Sequence, residues 1–456
     1  MDVMSAPEAR YVRDDAPEQP PRVTRSAAGI KVERNKQFIV PSSHDFDRQY
    51  AHVYFTRYNS FKKLIETAAT NKWPSKHVVP KLLDIEKEKE CVVFGVLYKD
   101  MPLKPNILDE YHARENYEAP PPERSKYNSD EDALVLEDMS GRIVLIGDAL
   151  DVGTHVSGVV VAVLGKALPS GEFQIADVCY PRFPPQKRLP KIPPSYVCLV
   201  SGLNISKNDK ARLSMQLLSD FIQGNIGSTA DQELAASIVH VIVAGNLVWR
   251  LDDEHQDLPL YKKRTMIPES VGHMREVDLF LAQMGINVRV DLMPGPHDPS
   301  DAILPQQPMH PCMFPLARNV SSVKGETNPY ETTVAGRTFL GTSGQGVDDI
   351  YRFSTEEDRL RILEQTLEWA QLFPTAPDTL GCFPYHMTDF SDPFVITSCP
   401  HVYFAGNQPS FATKLVTGPE GQQVRLVCVP SFSDTHTAVL LNLATLECEP
   451  IQFDAP

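Results

Sequence analysis

Four turns, each following an apolar segment, hold the residues of this chain that could do chemistry. They lie at Leu199-Val-Ser-Gly-Leu-Asn204, Val243-Ala-Gly-Asn-Leu247, Met293-Pro-Gly-Pro-His-Asp298 and Tyr403-Phe-Ala-Gly-Asn-Gln408. In open α/β sheets, functional residues collect at the carboxyl ends of strands. Carboxylate and imidazole groups placed there can bind divalent cations, and two cations can clamp the attacking and leaving oxygens of a phosphate ester. His297 and Asp298 are the donors of this kind in the four turns.

The layout of these turns resembles that of the two-metal phosphoesterases, but most of the ligand positions are replaced. In that superfamily the strand ends read Asp-x-His, Gly-Asp-x-x-Asp, Gly-Asn-His-Asp/Glu, a lone His and Gly-His-x-His. The replacements in this chain are Ser201, Leu203, Asn246, Trp249, Pro296 and Gly406-Asn-Gln-Pro409. Leu203 has no lone pair, and the neutral amide of Asn246 cannot offset the repulsion between two neighbouring cations.

The surviving pair, His297 and Asp298, has two interpretations. It is either a residual metal site or a hydrogen-bonded turn, and we favour the turn because two isolated donors do not make a catalytic centre. His310, His401 and His436 are scattered along the chain and are interpreted as packing or surface residues. We therefore predict no catalytic, cofactor-binding or metal-binding residues. The alternative is an active phosphoesterase or 3′–5′ exonuclease, which would bind two metals and lose activity in His297→Ala.

The first half of the chain predicts a helix followed by a small barrel. The helix carries a stripe of large apolar residues, namely Tyr50, Tyr54, Tyr58, Phe61, Leu64 and Ile65. Five β-rich runs follow, at Cys91–Leu97, Leu134–Glu137, Arg142–Ile146, Val156–Leu164 and Glu172–Val178. Their lengths and turns are typical of a Greek-key barrel of the OB type. Because only Phe94, Tyr98 and Phe173 offer aromatic platforms, we expect the barrel to dock protein rather than single-stranded DNA.

The second half alternates strands and helices, which predicts an α/β domain with mixed sheets. The expected elements are Tyr196–Val200, Arg212–Ile222, Val239–Ala244, Pro268–Met284, Val288–Leu292, Glu356–Phe373, Val424–Val429, Thr437–Leu441 and Cys448–Phe453. The helix at 356–373 has Ser354 or Thr355 as its expected N-cap. Six prolines between residues 181 and 195 mark a boundary. We predict a disordered tail at 1–40, a helix plus OB-fold domain at 41–182 and an inactive phosphoesterase-like domain at 190–456.

Charge and cysteine usage limit the class of protein. The formal net charge of −15 argues against an isolated nucleic-acid binder, since such proteins are usually basic. The eight cysteines form no Cys-x-x-Cys pair and indicate a reduced intracellular protein. No signal peptide and no run of 18 apolar residues is present, so no membrane partner is expected.

Motifs spread over roughly residues 45–456 resemble the small-subunit family of DNA polymerase delta, one of the replicative polymerase B-subunits. They are Phe46-Asp-Arg-Gln-Tyr-Ala-His52, Leu136-Glu-Asp138, Met293-Pro-Gly295, Leu304-Pro-Gln-Gln-Pro308, His310-Pro-Cys-Met-Phe-Pro-Leu316, Asn328-Pro-Tyr330, Phe339-Leu-Gly-Thr-Ser-Gly-Gln345, Thr375-Ala-Pro-Asp-Thr-Leu-Gly-Cys382 and Cys399-Pro-His-Val-Tyr-Phe404. The family combines an OB fold with an inactive calcineurin-like phosphoesterase domain, packed as a mixed β-sandwich flanked by helices.

The resemblance implies a non-catalytic scaffold with no cofactor. Members of the family hold the cysteine-rich C-terminal domain of the catalytic subunit and also bind the third subunit. The same small subunit is shared with the translesion polymerase zeta. The resemblance further implies a nuclear location, a role in DNA replication and repair, and only indirect contact with DNA.

Overall fold

The computed structural model describes residues 25, 31–34, 36–40, 49–106, 124–205, 209–249, 269–384 and 392–453. Its first unit is a closed barrel beneath a long helix, α1 (Ala51–Lys72). The barrel strands are β2 (Glu90–Asp100), β3 (Ala133–Glu137), β4 (Arg142–Ile146), β5 (Val160–Ala167) and β6 (Phe173–Cys179). They close in the order β2-β3-β4-β6-β5, with β4 parallel to β6 and the other pairs antiparallel. The predicted OB-type barrel is confirmed.

The stripe of α1 that packs on the barrel differs from the predicted one. Tyr58, Phe61 and Ile65 are buried as expected, but Tyr50 is 47% and Tyr54 39% exposed. Leu64, also in the predicted stripe, is exposed as well. The buried face instead includes Val53 and Arg57, a charged residue that a search for apolar periodicity passes over.

The second unit contains two mixed sheets, each with six strands among the described residues. The first sheet runs in the order β1-β11-β12-β13-β15-β14, with β1 (Val32–Arg34), β11 (Tyr330–Val334), β12 (Arg337–Thr342), β13 (Val402–Gln408), β14 (Ala412–Thr417) and β15 (Gln423–Pro430). The second sheet runs in the order β10-β9-β8-β7-β16-β17, with β7 (Tyr196–Val200), β8 (Ile238–Ala244), β9 (Arg289–Met293), β10 (Val323–Gly325), β16 (Thr437–Asn442) and β17 (Cys448–Gln452). The predicted mixed α/β organisation is confirmed.

Helices cover the outer faces of both sheets. They are α2 (Asp209–Gln223), α3 (Thr229–Ser237), α4 (Glu269–Gly285), α5 (Gln345–Phe353), α6 (Arg359–Glu368) and the single turn α7 (Phe432–Thr435). One apolar core lies between the sheets, a second lies beneath α2 and α4, and a third joins the first sheet, α5 and α6 to the barrel and α1. None of the helices in the described ranges is long and apolar enough to cross a membrane.

The helix predicted at 356–373 is wrong in its bounds. A separate helix, α5, precedes it, and α6 starts at Arg359 because the Asp358 side chain accepts a hydrogen bond from the Leu360 N–H. Ser354 and Thr355 do not cap it, and the Thr355 N–H donates to the Gly153 carbonyl of the barrel. The chain leaves the helix at Ala370, whose φ of 54° is left-handed. The apolar periodicity alone could not show these tertiary contacts.

The described part of residues 1–40 does not fit the predicted tail. β1 pairs antiparallel with β11, and Phe38 is 2% exposed. Arg34 forms ion pairs with the buried Asp291 and with Glu326. A short edge strand held by one aromatic residue and distant carboxylates carries too little local apolar signal to be predicted. Residues 1–24, 26–30 and 35 of this segment lie outside the described residues, as does Pro268 of the predicted helix.

Buried polar contacts tie the barrel unit to the second unit. Arg57 and Asp392 form an ion pair at 3.0 Å with both side chains fully buried. The Arg57 Nη1 also donates to the Pro374 carbonyl at 2.8 Å. From the barrel, the Lys99 Nζ donates to the Phe353 carbonyl at 3.0 Å at the end of α5. Together with the shared apolar core, these bonds hold the two units as one rigid body.

Candidate functional site

The four predicted turns do come together at one end of the second unit. The Gly202 N–H donates to the Gly245 carbonyl at 2.9 Å, which joins the turns after β7 and β8. The His297 N–H donates to the Asn246 Oδ1 at 3.1 Å, which joins the turns after β8 and β9. The Asn407 N–H donates to the Ser201 Oγ at 2.8 Å, which brings in the end of β13. This set of turns is called the strand-end cluster below.

Asn246 uses its amide oxygen within the cluster. It lies at the end of β8 with a left-handed φ of 55°, a conformation that asparagine tolerates. Because its Oδ1 accepts the His297 N–H, that oxygen is directed at backbone. The side chain therefore fixes the relative position of two turns.

Asp298 points into the protein. Its Oδ1 accepts the N–H of Leu247 at 2.7 Å and its Oδ2 accepts the N–H of Gly295 at 2.8 Å. A longer bond of 3.3 Å comes from the N–H of Val248. Burial raises the pKa of Asp298 to about 6, and these backbone donors limit the rise. Its carboxylate thus binds the strand-end backbone, as an N-cap or turn aspartate does.

His297 and Trp249 pack against each other. Their ring centroids are 4.9 Å apart and the rings are nearly perpendicular, with an angle of 89°. Trp249 was predicted to replace the second aspartate of the phosphoesterase pattern, and in the structure its ring contacts His297. Leu203, which was predicted to replace a histidine ligand, is fully buried in the core beneath α2 and α4.

Amides and hydroxyls that were not predicted link the remaining strand ends. The Asn328 Nδ2 donates to the Gln306 Oε1 and to the Ser343 Oγ, both at 2.8 Å. The Gln345 Nε2 also donates to the Gln306 Oε1 at 2.8 Å, and the Gln306 Nε2 reaches the Gly295 carbonyl at 3.1 Å. These residues lie in segments rich in proline, glycine and amides. That composition was the signal available in the sequence, but it does not show which side chains hydrogen-bond to each other.

Ser201 and Asn407 extend this neutral network. The Ser201 Oγ donates to the Pro430 carbonyl at 3.0 Å, and the Asn407 Nδ2 donates to the Ser343 carbonyl at 2.7 Å. Both side chains therefore hydrogen-bond to backbone from neighbouring strands. The donor groups of both side chains are thus used within the cluster, while the Asn407 Oδ1 is buried without a hydrogen-bond partner among the described residues.

Glycines let the turns approach to van der Waals contact. A Cβ at Gly245 would lie 2.8 Å from the Gly295 Cα, and one at Gly295 would lie 2.4 Å from the Asn246 backbone nitrogen. A Cβ at Gly406 would lie 2.7 Å from the Ala244 carbonyl oxygen. Within the described ranges, no group of three or more His, Cys, Asp or Glu residues is arranged to hold a metal ion.

The scattered histidines and barrel aromatics lie elsewhere. The His310 Nδ1 accepts the Cys312 N–H at 3.2 Å, and the His401 ring bridges the Thr338 N–H and the Lys187 carbonyl. His436, just after α7, has a left-handed φ of 53°. Of the predicted platforms in the barrel, Phe94 is 3% and Phe173 0% exposed, while Tyr98 is half-buried.

Two family profiles match the two units. Residues 49–178 match the DNA polymerase delta subunit OB-fold domain, and residues 197–413 match the B-subunit family of DNA polymerases alpha and epsilon. The barrel carries the first match and the two-sheet unit carries most of the second. The fold and these matches together define the class of replicative polymerase B-subunits.

Relatives of similar length identify the family within that class. The DNA polymerase delta small subunit of Oryza sativa subsp. japonica is 41% identical over 408 residues, covering 89% of this chain and 93% of the relative. That of Arabidopsis thaliana is 42% identical and covers 89% and 91%. That of Saccharomyces cerevisiae is 32% identical and covers 98% of both. The chain belongs to the family of DNA polymerase delta small subunits.

More distant similarity reaches archaea. The DNA polymerase II small subunit of Methanothermobacter thermautotrophicus is 23% identical over 215 residues, which is 46% of this chain. This match covers less than half of either protein, so it carries no argument about activity.

Proposed function

We propose that this chain is a non-catalytic scaffold subunit of the DNA polymerase delta holoenzyme, with a phosphoesterase-like sandwich that has lost its active site. The observation that carries the proposal is the strand-end cluster. Its surviving carboxylate, Asp298, is saturated by backbone donors, and the other ligand positions hold amides, a hydroxyl, a leucine and a tryptophan. A two-metal mechanism needs charged ligands around an open space between the turns. Here the turns touch each other.

Elemental analysis and a hydrolysis assay test the loss of activity. We expect the purified full chain to carry no stoichiometric metal and to hydrolyse neither a phosphodiester nor a single-stranded 3′ end in the presence of Mn²⁺. His297→Ala should behave like the matched variant His310→Ala, whose histidine is exposed outside the cluster. Two equivalents of bound metal that disappear in His297→Ala alone would overturn the proposal in favour of an active enzyme.

The scaffold role includes bridging two partners in the nucleus. We propose that the chain holds the cysteine-rich C-terminal domain of the catalytic subunit and also the third subunit, and that it is shared with polymerase zeta. The joined units offer a rigid surface for this purpose, since the barrel and sandwich share a core and the Arg57–Asp392 pair. A net charge of −15 suits a basic, metal-bound partner domain, because complementary potentials speed encounter and fix register.

DNA contact through this subunit is proposed to be indirect. Two of the three aromatic candidates lie in the barrel core, where they cannot stack on bases. The expected affinity of the isolated chain for an oligonucleotide is therefore weak at physiological salt. A tight, strongly salt-dependent affinity would argue for a direct role.

Reconstitution tests the bridging. A tagged catalytic subunit should recover the third subunit only when this chain is present. Recovery of the third subunit in its absence would show that no bridge is needed. Imaging of the tagged chain in cells, followed by pull-down from nuclear extract, tests the location and the shared use by polymerase zeta.

The bounds of the two domains are also proposed. We place a helix and OB-fold domain at 41–182 and a phosphoesterase-like domain at 190–456, with the proline-rich segment between them. The extents of the two family matches support this division.

A further inference from the structure

The short strand β1 covers the edge of the first sheet. It pairs antiparallel with β11, and Glu33 lies opposite Thr333. The Ala335 N–H donates to the Lys31 carbonyl at 3.1 Å, and the Thr332 Oγ1 donates to the Glu33 carbonyl at 3.1 Å. Among the described residues, β11 would be the edge strand of this sheet if β1 were absent. Unpaired N–H and C=O groups on such an edge pair readily with another chain.

Two arginine side chains hold this part of the chain on the second unit. The Arg34 Nη2 lies 2.5 Å from the Oδ1 of Asp291, whose side chain is fully buried, and the Arg34 Nε pairs with Glu326. The Arg25 Nη1 donates at 2.6 Å to the carbonyl of the first residue of β8. Val32 adds a partly buried apolar contact with the core between the sheets. Residue 25 and residues 31–34 are together called the strap below.

The remaining charges of the strap contribute little to its attachment. Lys31 and Glu33 pair with each other, and their side chains are 80% and 56% exposed. Exposed ion pairs of this kind stabilise a structure only weakly. The attachment of the strap therefore depends mainly on Arg25 and Arg34.

Release of the strap leaves the buried carboxylate with other hydrogen-bond partners. The His240 Nε2 donates to the Asp291 Oδ2 at 2.7 Å, and the Tyr330 hydroxyl donates to the same oxygen. Glu326, the second partner of Arg34, has a side chain that is 14% exposed and thus reaches water. Because leaving a buried acceptor without any donor is the costly case, these contacts lower the cost of an open form.

The sequence of β11 suits antiparallel pairing with a second β11. A two-fold axis at Thr332 would place Thr332 opposite the same residue of the other copy, Tyr330 opposite Val334, and Glu331 opposite Thr333. No like charges face each other in this register. Aromatic residues paired with β-branched ones, and threonine paired with threonine, stabilise antiparallel strands. One patch would serve both copies, as a two-fold interface requires.

We propose that β11 is a latent self-association edge: the strap blocks it in the closed chain, and release of the strap lets β11 pair with β11 of a second copy. The first sheets of the two copies would then join into one continuous sheet. The strap is an autoinhibitory contact in this scheme, because it occupies in cis the backbone groups that the second copy would bind. The inference does not depend on the proposed scaffold role.

Light scattering of the full chain tests the self-association. Arg34→Glu places a third carboxylate beside Asp291 and Glu326, and Arg25→Gln removes the second anchor. We expect this double variant to double its mass from the 50.9 kDa of one chain. The parent and Glu33→Gln, which loses only the exposed pair with Lys31, should stay monomeric. A double variant that stays monomeric or forms only larger aggregates overturns the proposal, and so does a parent that dimerises.

Amide hydrogen exchange shows which edge the dimer uses. In the double variant, exchange in residues 31–34 should become about tenfold faster or more, because these residues leave the sheet. Exchange in residues 330–334 should stay slow, because the second copy covers them. Fast exchange in both segments would overturn the proposal even if a dimer forms through another surface.

A reversible lock separates release of the strap from damage to the fold. Glu33→Cys and Thr333→Cys change residues that lie directly opposite each other, at a Cα spacing that suits a disulfide. With both changes in the double variant, and with the exposed Cys312 replaced by serine, the oxidised chain should be monomeric and should dimerise after reduction. Dimerisation of the oxidised chain, or a monomer in both states, would contradict the blocking role of the strap.

A milder variant and a peptide complete the test. Arg34→Gln alone should fold and dimerise with a higher Kd than the double variant, and a monomer at all concentrations would count against the proposal. A synthetic peptide of residues 31–40 should return either dimer to the monomer by taking the place of the strap. The same peptide with Arg34→Glu should have no effect. Equal action of the two peptides, or none by either, overturns the role of Arg34.

Discussion

Replacing Arg57 by methionine should loosen the barrel unit from the sandwich. The guanidinium donates to the Asp392 Oδ2 at 3.0 Å, to the Pro374 carbonyl at 2.8 Å and to the Phe373 carbonyl at 3.5 Å. All three acceptors belong to the second unit, while Arg57 belongs to α1. Methionine retains much of the volume but none of the donors.

The expected cost follows from the buried charge that remains. Asp392 has a fully buried side chain and keeps one described backbone donor, the Phe394 N–H at 2.8 Å. Removing one partner of a buried pair costs about 3–5 kcal/mol. At 1.36 kcal/mol for each factor of ten, the unfolding equilibrium should shift by roughly two to four powers of ten.

Urea unfolding and amide hydrogen exchange measure the effect. Exchange should accelerate in α1 and in the segment after Asp392 before the rest of the sandwich. In the Arg57→Met background, Asp392→Asn should recover about 1–3 kcal/mol, because it removes the uncompensated charge. The matched control is Arg142→Met, whose pair with Glu137 is exposed and is worth about 0–1 kcal/mol.

A small effect would refute the reasoning. If Arg57→Met costs no more than Arg142→Met, the buried pair does not hold the units together. The same conclusion follows if Asp392→Asn is additive with Arg57→Met, since residues that interact must show a coupling energy.

Three further predictions concern the strand ends and the thiols. Gly245→Ala should destabilise the chain more than Gly421→Ala in thermal unfolding. Both glycines have a φ near +80°, but an added Cβ has neighbours within 4 Å only at Gly245. Equal losses of stability would contradict the predicted clash at Gly245. The pKa of Asp298 is raised to about 6, so the folded state keeps a proton that the unfolded state has already released. The contribution of Asp298 to stability should therefore fall as pH rises from about 4 to about 6. A plot of unfolding free energy against pH whose slope is unchanged in Asp298→Asn would contradict this. Cys312 is exposed, Cys448 is partly exposed and the other six cysteines are buried, so a thiol reagent should label Cys312 first in the native chain, and an unchanged fast phase in Cys312→Ser would contradict this order.

Local sequence patterns predicted those helices and strands whose own residues favour that structure. The strand at Tyr196–Val200 has the predicted bounds because a β-branched apolar run is typical of a buried strand in any context. The barrel strands were found for the same reason. The convergence of the four turns also followed from sequence, since parallel strands end at the same edge of a sheet.

Long-range polar contacts could not be predicted from sequence. Arg34 binds Asp291 across 257 residues, and this contact orders a segment that has little apolar content. The burial of Arg57 depends on a partner far along the chain, and the start of α6 at Arg359 depends on the side-chain cap from Asp358. In the strand-end cluster, the roles of Gln306 and Asn328 emerge only when their neighbours are known.

The single core shared by barrel and sandwich determines how two ligands bound to different parts of this subunit are placed relative to each other. A flexible tether would give a second ligand an effective concentration that falls with tether length. A rigid body instead fixes both distance and orientation, so a ligand held by the barrel meets one held by the sandwich at a single geometry. Such a pair either fits or is excluded, and little entropy is lost when the second one binds.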